Sequence, residues 1–253
     1  DAAYRAYLRR EGAGLDDFAT WCALVEVHGP DWHTWPDGFR HPRSAQVENF
    51  RAANADAVDF HRWLQWVLDE QLDSVQQAAR RAGMGLGIVH DLAVGVHSAG
   101  ADSWLLQDVF AQGISVGAPP DPFNQIGQDW QQPPWRPDQL AGLAYAPFRE
   151  VVATILRHAG GVRVDHVIGL FRLWWIPAGQ PPTAGTYVRY DHEALIGILA
   201  LEAYRARAIV VGEDLGTVEP WVRRYLRERG ILGTSVLWFE FEFHGSGAPL
   251  RPE

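Results

Sequence analysis

The sequence has no lysine, one cysteine and one methionine, and it has no long apolar run. All 22 basic residues are scattered arginines, and the formal net charge is −9 at pH 7. An acidic chain without a basic patch argues against a nucleic-acid partner, because phosphate binding requires a basic face. The lone Cys22 excludes a disulfide framework and a cysteine metal site. No apolar run approaches the roughly 20 residues that span a bilayer, so no membrane partner is expected.

The hydrophobic and tryptophan content indicates a chain that folds around a core. Of the 253 residues, 47% are hydrophobic and 12 are tryptophan, which argues against disorder. This length suits one large domain or two small ones, and α/β barrels often reach it as a single unit. Because the sequence opens with "DAAYRAYLRR", already inside a helical pattern, we expect it to be an excerpt of a longer protein.

The first third of the chain is predicted to be helical. Residues 1–28 have the pattern of two helices, and residues 44–81 have that of one long helix ended by Gly83. The proline-rich stretch 95–143 is predicted to be a long loop, and such loops are usually functional. A second loop is expected after a strand at residues 162–168, and it continues through Gly185.

Four apolar runs then alternate with helical patterns. We predict strands at residues 85–94, 162–168, 208–216 and 234–243. This alternation is typical of βαβ units and a parallel sheet. An open doubly wound sheet is one arrangement, but carboxylates at several successive strand ends favour a (β/α)₈ barrel, of which four strands make half.

Charged side chains gather at the ends of the first three strands. Asp91 ends the first, Asp165 and His166 the second, and Glu213 and Asp214 the third. Two carboxylates that face each other at a barrel mouth, roughly 5 Å apart, suit a retaining glycosidase-type mechanism. The alternative is that they are ordinary strand-end residues that cap helices or accept hydrogen bonds from loop amides.

Arg163 precedes Asp165 by two residues, so both side chains point to the same face of the strand. A neighbouring guanidinium keeps a carboxylate ionised and oriented, as a nucleophile requires. The alternative is a buried ion pair without chemistry.

Aromatic side chains are predicted in the loops that follow the strands, where their flat apolar faces suit sugar rings. These residues are Phe123, Trp130, Trp135, Tyr145, Trp174 and Trp175. The ten histidines show no metal-binding spacing, and we expect His90 and His97 to have core or loop roles.

Four segments, in order, resemble one family. They are "HDLAVGVHSAGADSW", "GAPPDPFNQIGQDW", "GVRVDHVIGLFRLWWIP" and "VVGEDLGTVEP". Together they resemble the 4-α-glucanotransferases (amylomaltases, disproportionating enzymes) of glycoside hydrolase family 77, in the α-amylase clan. The resemblance implies an α-amylase-type (β/α)₈ barrel that is only partly present. Residues 1–82 would be a helical insertion before the third strand, and residues 83–253 the central part of the barrel, about strands 3 to 6.

The resemblance also implies an activity and roles for residues. The activity is the transfer of α-1,4-glucan segments between maltodextrins by double displacement, with no cofactor or metal, in the cytoplasm. Asp165 would be the nucleophile and Glu213 the acid/base, while Arg163 orients Asp165. The implied sugar-binding residues are His166, Asp91 at the base of the donor site, Asp214, and Trp130, Gln128 and Phe123 on the acceptor side.

Three departures from the family pattern qualify these expectations. Gln131 stands where the family usually has glycine, and Pro122 where it often has an aromatic residue. The family's Thr-His-Asp segment, which carries a third carboxylate, does not occur. We therefore expect this chain alone not to turn over glucan. A retaining α-glucan hydrolase and a non-catalytic carbohydrate-binding fragment stay open as alternatives.

Overall fold

A computed structural model describes residues 1–122, 124–215 and 218–237, which fall into two compact units. The first unit comprises Asp1–Met84, Gly95–Ala144 and Leu173–Val188. The second comprises Gly85–Val94, Tyr145–Arg172 and the described part of Arg189–Glu253. Both units contain helices and strands, so the chain is a mixed α/β protein with two partial sheets.

The regular elements follow each other in this order along the described residues. The helices are α1 (Ala2–His28), α2 (Ala45–Ala53), α3 (Ala55–Arg81), α4 (Ala101–Leu105), α5 (Pro137–Gly142), α6 (Ala146–Leu156), α7 (His192–Ala206) and α8 (Pro220–Glu228). The strands are β1 (Val89–Leu92), β2 (Ile114–Ala118), β3 (Gln128–Gln132), β4 (Gly161–Val164), β5 (Arg172–Pro177), β6 (Thr186–Arg189) and β7 (Ile209–Gly212).

The first three helices of the chain, α1 to α3, follow the predicted pattern closely. Gly12, with φ 60° and ψ −141°, breaks α1 into two helical parts, which confirms the predicted helix pair. The long helix predicted over 44–81 is divided at Asn54 into α2 and α3. Its start is confirmed, because the Ser44 hydroxyl accepts a hydrogen bond from the Val47 N–H as an N-cap.

Tryptophans form the core between these helices. Leu24, Trp32, Trp35, Val47 and Trp104 make one buried cluster. The Trp35 indole N–H donates to the Gly29 carbonyl (2.8 Å) and that of Trp104 to the Phe39 carbonyl (3.0 Å). The aromatic rings are therefore buried without leaving their polar atoms unsatisfied.

The prediction of loops over 95–143 and up to Gly185 was wrong. These stretches contain α4, α5 and three strands of a four-stranded sheet of order β3-β2-β5-β6, in which β2 is antiparallel to both β3 and β5. The strands are short, and glycine, proline and glutamine within and around them obscure the alternation of side chains on which strand prediction depends. Trp130, Trp174 and Trp175 consequently lie in strands rather than in loops.

The second unit contains a parallel sheet of order β1-β4-β7, as the βαβ pattern predicts. Each strand is shorter than its predicted range. Gly160, just before β4, permits the close approach to the chain before β1, since a Cβ at this position would lie 1.7 Å from the Leu86 carbonyl oxygen.

Two details of this sheet differ from the predictions. The apolar run that forms β1 has too few polar residues for a half-exposed strand, but Val89 is 43% exposed, and within the described ranges β1 pairs only with β4. Of the strand predicted at 234–243, residues 234–237 are not in a strand and 238–243 lie outside the described residues. The chain instead makes a single parallel bridge between Val211 and Leu232.

Within the described ranges, no helix is both long and apolar enough to cross a bilayer.

Candidate active site

The parallel sheet brings charged residues to one edge. Its register pairs Asp91 in β1 with Arg163 in β4, and Arg163 in turn with Val211 in β7. Asp165 and Glu213 each follow their strand directly, and their backbone N–H groups continue the ladders, donating to the carbonyls of Leu92 and Val164 (both 2.9 Å). The three carboxylates therefore lie at the carboxyl end of three adjacent parallel strands.

Arg163 links two of these carboxylates. Its Nη1 donates to both oxygens of Asp91 (2.7 and 2.9 Å), and its Nη2 donates to Asp165 Oδ1 (2.7 Å). These hydrogen bonds, chiefly those to Asp91, raise the pKa of Arg163. The side chains are 37% exposed for Arg163, 63% for Asp91 and 41% for Asp165, so the group is open to solvent and to a ligand.

The carboxylate of Glu213 is held by two backbone N–H groups. Its Oε2 accepts from His166 (3.0 Å) and its Oε1 from Leu215 (2.9 Å). His166, the first of these donors, is the residue directly after Asp165. Adjacent strands lie about 4.8 Å apart, so this contact places Asp165 and Glu213 at neighbouring positions on the edge.

His166 adopts a left-handed backbone conformation, with φ 46° and ψ 56°. This conformation is uncommon for a residue with a side chain, and such strain is often found at functional sites. Here it turns the chain sharply after Asp165 and directs the His166 N–H toward Glu213.

Burial lowers the pKa of the His166 imidazole below its ordinary value of 6.5, against the opposing effect of the Glu213 and Asp165 carboxylates. The unfolded chain therefore binds this proton more readily than the folded protein does. The stability contributed by neutral His166 is complete above the unfolded pKa and is lost as the pH falls through the folded pKa.

We expect a His166→Asn variant to be less sensitive to acid than the wild type. Asparagine tolerates the left-handed conformation and does not titrate. Melting temperatures measured between about pH 7.5 and about pH 5 should fall less steeply for the variant than for the wild type. A His41→Asn variant, which alters an exposed histidine of the first unit, should keep the wild-type slope. Equal slopes for all three proteins would contradict the assignment.

Asp214 is part of the protein interior rather than of the exposed group at the edge. It is 7% exposed, and its carboxylate accepts from Arg223 Nε (3.1 Å) and from the Thr234 N–H (2.8 Å). Sequence reasoning did not find Arg223, because its approach depends on how α8 is placed. Asp214 thus connects the residue next to Glu213 both to α8, through Arg223, and to the chain after α8, through Thr234.

The residues expected on the acceptor side belong to the first unit. Gln128 and Trp130 lie in β3, where the Trp130 indole N–H donates to Gln128 Oε1 (3.1 Å). Phe123 lies outside the described residues, and Pro122 is exposed. Gln131 has φ 58°, a conformation that favours glycine, and its N–H donates to Asp129 Oδ1 (2.8 Å).

The other tryptophans that were expected to meet sugars have packing contacts of their own. The Trp174 indole N–H donates to the Pro182 carbonyl (2.9 Å), and its ring lies edge-on to Tyr187. Trp135 stacks on Phe110 with ring centroids 4.2 Å apart.

One further observation concerns possible metal ligands in the part of the chain that the structure describes. It contains no group of three or more histidine, cysteine, aspartate or glutamate side chains placed to hold a metal ion.

Two carboxylates that follow neighbouring parallel strands at their carboxyl ends are an arrangement also found in enzymes that act on glycosidic bonds. Comparison with known proteins identifies the family. The chain belongs to the 4-alpha-glucanotransferase family, glycoside hydrolase family 77, whose pattern it matches over residues 1–252.

Relatives and solved structures agree with this membership. The chain is 69% identical over 255 residues to the 4-alpha-glucanotransferase of Mycobacterium tuberculosis (strain ATCC 25618 / H37Rv), covering 100% of this chain and 35% of that protein. The crystal structure of amylomaltase from Corynebacterium glutamicum superimposes with a TM-score of 0.84 at 50% identity, over 99% of this chain and 34% of that one. The fold is also shared with amylomaltase from Streptococcus agalactiae in complex with acarbose (TM-score 0.83, 19% identity, 94% and 49% coverage). The chain thus spans about a third of the length of the mycobacterial relative.

Proposed function

We propose that this protein, in its full natural length, transfers α-1,4-glucan segments between maltodextrins with retention of configuration. The observation that carries the proposal is the hydrogen bond from the His166 N–H to Glu213 Oε2, which joins the two carboxylate-bearing strand ends. The names of the relatives, 4-alpha-glucanotransferase and amylomaltase, support it.

In the first step, the Asp165 carboxylate attacks the anomeric carbon while Glu213 gives its proton to the departing glycosidic oxygen. This forms a glucosyl ester on Asp165 and releases the reducing-end part of the donor. In the second step, Glu213 takes the proton of an acceptor hydroxyl, which attacks the anomeric carbon and frees Asp165. Two inversions at the same carbon give net retention.

The environments of the two carboxylates suit these different roles. Asp165 accepts a charge-assisted hydrogen bond from Arg163, which fixes the orientation of the carboxylate for the attack on the anomeric carbon. Each oxygen of Glu213 accepts one backbone N–H. A carboxyl oxygen has two lone pairs, so either oxygen can keep its backbone contact and also carry the proton that the acid form donates.

The remaining site residues have supporting roles in the proposal. Asp91, which accepts a hydrogen bond from Arg163, would lie at the base of the donor site. His166 would bond sugar hydroxyls. Gln128 and Trp130, with Phe123, would contact the acceptor. Asp214 would act through Glu213 as a positioning residue, since its own carboxylate is occupied by Arg223 and Thr234.

The fold is part of the same proposal. We place β1, β4 and β7 as successive strands of an α-amylase-type (β/α)₈ barrel, with the next strand approaching at the Val211–Leu232 bridge. Residues 1–82 would be a helical insertion, and residues 83–253 the central part of the barrel. Since the chain spans only 35% of its mycobacterial relative, the 253 residues alone should not turn over glucan. A cytoplasmic location belongs to the proposal as well and rests on the single cysteine and the family.

The proposal is tested by incubating the full-length protein with maltotriose. Transfer predicts glucose together with a ladder of maltodextrins longer than the substrate, because a sugar hydroxyl takes the glucosyl group from Asp165. Products that are all shorter than maltotriose would indicate a hydrolase instead. Binding without any conversion would indicate a carbohydrate-binding protein.

A further inference from the structure

The first unit contains two neighbouring cavities that the proposed mechanism does not use. One has a volume of about 500 Å³ and the other about 390 Å³. Ala111 and Gln112 contribute to the walls of both, so the cavities adjoin at these two residues. Together they form one extended depression, which we call the first-unit groove.

The larger cavity combines an aromatic wall with polar groups. Trp175 lies on one side, and Asp108, Gln112 and the ion pair between Arg136 and Asp138 (2.7 Å) supply the polar atoms. Indole faces pack against the C–H face of a pyranose ring, while amides and carboxylates bind its hydroxyls. Because the only arginine in this wall is neutralised by Asp138, the cavity does not suit a phosphate or another anion.

The smaller cavity contains a strained residue. Gln131 lines it with φ 58°, together with Ser115 and Asp129. A side chain in the left-handed region costs of the order of 1 kcal/mol relative to glycine, and such strain is most often kept where the side chain is used. Its wall therefore offers an amide, a hydroxyl and a carboxylate, all of which can bond neutral hydroxyl groups.

We propose that the first-unit groove is a second glucan-binding site, which holds a stretch of an α-1,4-glucan chain outside the carboxylate group. A polymer fits two adjoining cavities better than a single small metabolite does. The lining of amides, carboxylates, three serine hydroxyls and one indole selects a neutral polyhydroxylated ligand. This inference rests on the proposed function, because the α-glucan is the substrate proposed there.

The experiment uses the full-length protein with a Gln112→Ala/Gln131→Gly double substitution. Glycine suits the backbone at position 131, so the variant should fold and keep its melting temperature. The apparent KM for amylose should rise at least about fivefold because two hydrogen-bonding amides are lost, while kcat with maltotriose stays within about twofold. In an Asp165→Asn background, which prevents turnover, calorimetric titration with maltoheptaose should show one binding site fewer per chain.

A Glu70→Ala/Gln71→Ala variant is the matched control. It removes an acid and an amide that are exposed on α3 and that line neither cavity. The control should keep the wild-type KM for amylose and the wild-type number of sites. An unchanged number of maltoheptaose sites in the groove variant would overturn the proposal. The maltotriose assay of the unsubstituted protein tests the proposed transferase activity separately. A failure of the groove proposal can therefore be distinguished from a failure of the proposed function.

Discussion

An Asp165→Asn variant of the full-length protein should lose at least about a thousandfold in kcat with maltotriose and still bind glucan. The amide is nearly isosteric with the carboxylate, and its oxygen can still accept the hydrogen bond that Arg163 now donates at 2.7 Å. The amide lacks the negatively charged oxygen that attacks the anomeric carbon. The measurement is the initial rate of glucose release, together with the affinity for maltoheptaose.

An Asp56→Asn variant, at an exposed position in the first turn of α3, serves as the matched control and should keep full activity. Melting temperatures of both variants would show whether a loss of activity reflects a loss of folding. Retention of more than about a tenth of the wild-type kcat by the Asp165→Asn variant would remove this residue from the covalent step.

A Glu213→Gln variant should lose at least about a hundredfold in kcat with maltotriose, because glutamine cannot transfer a proton. The loss in the first step should depend on the leaving group. With α-maltosyl fluoride as donor, fluoride departs without protonation, so the release of fluoride in the first turnover should be largely restored. The same donor should not rescue Asp165→Asn, since the nucleophile is missing there. Fluoride release measured by an ion-selective electrode separates the two variants.

A Glu228→Gln variant, at an exposed position near the end of α8, controls for the amide substitution itself. Glutamine at position 213 can accept from only one of the backbone N–H groups of His166 and Leu215, so a modest loss of stability is expected. Equal impairment of Glu213→Gln with maltotriose and with maltosyl fluoride would argue against its role as the acid.

The parallel sheet and its carboxylates were predictable from the sequence for a physical reason. Short apolar runs that end in charged residues indicate buried parallel strands, and such strands carry their polar residues at the carboxyl edge. The spacing of Arg163 and Asp165 put both side chains on one face, and the structure has them 2.7 Å apart. The predicted helix pair over residues 1–28, which Gly12 separates, follows from local chemistry as well.

What could not be predicted depends on contacts distant in sequence. The pairing of Arg163 with Asp91 requires the register between β1 and β4, which joins residues 72 positions apart. The left-handed turn at His166 and its hydrogen bond to Glu213 require β7 to lie beside β4. The β2–β3 pair was missed because its strands are short and rich in glycine and glutamine, so tertiary pairing outweighs a weak local pattern.

The most direct test of the account is to trap the covalent intermediate. The Glu213→Gln variant is mixed with α-maltosyl fluoride, quenched in acid, digested and mapped by mass spectrometry. The account predicts a maltosyl ester on the peptide that contains Asp165, and specifically on that side chain. An ester on a different carboxylate, such as Asp91, or fluoride release without any ester would contradict it.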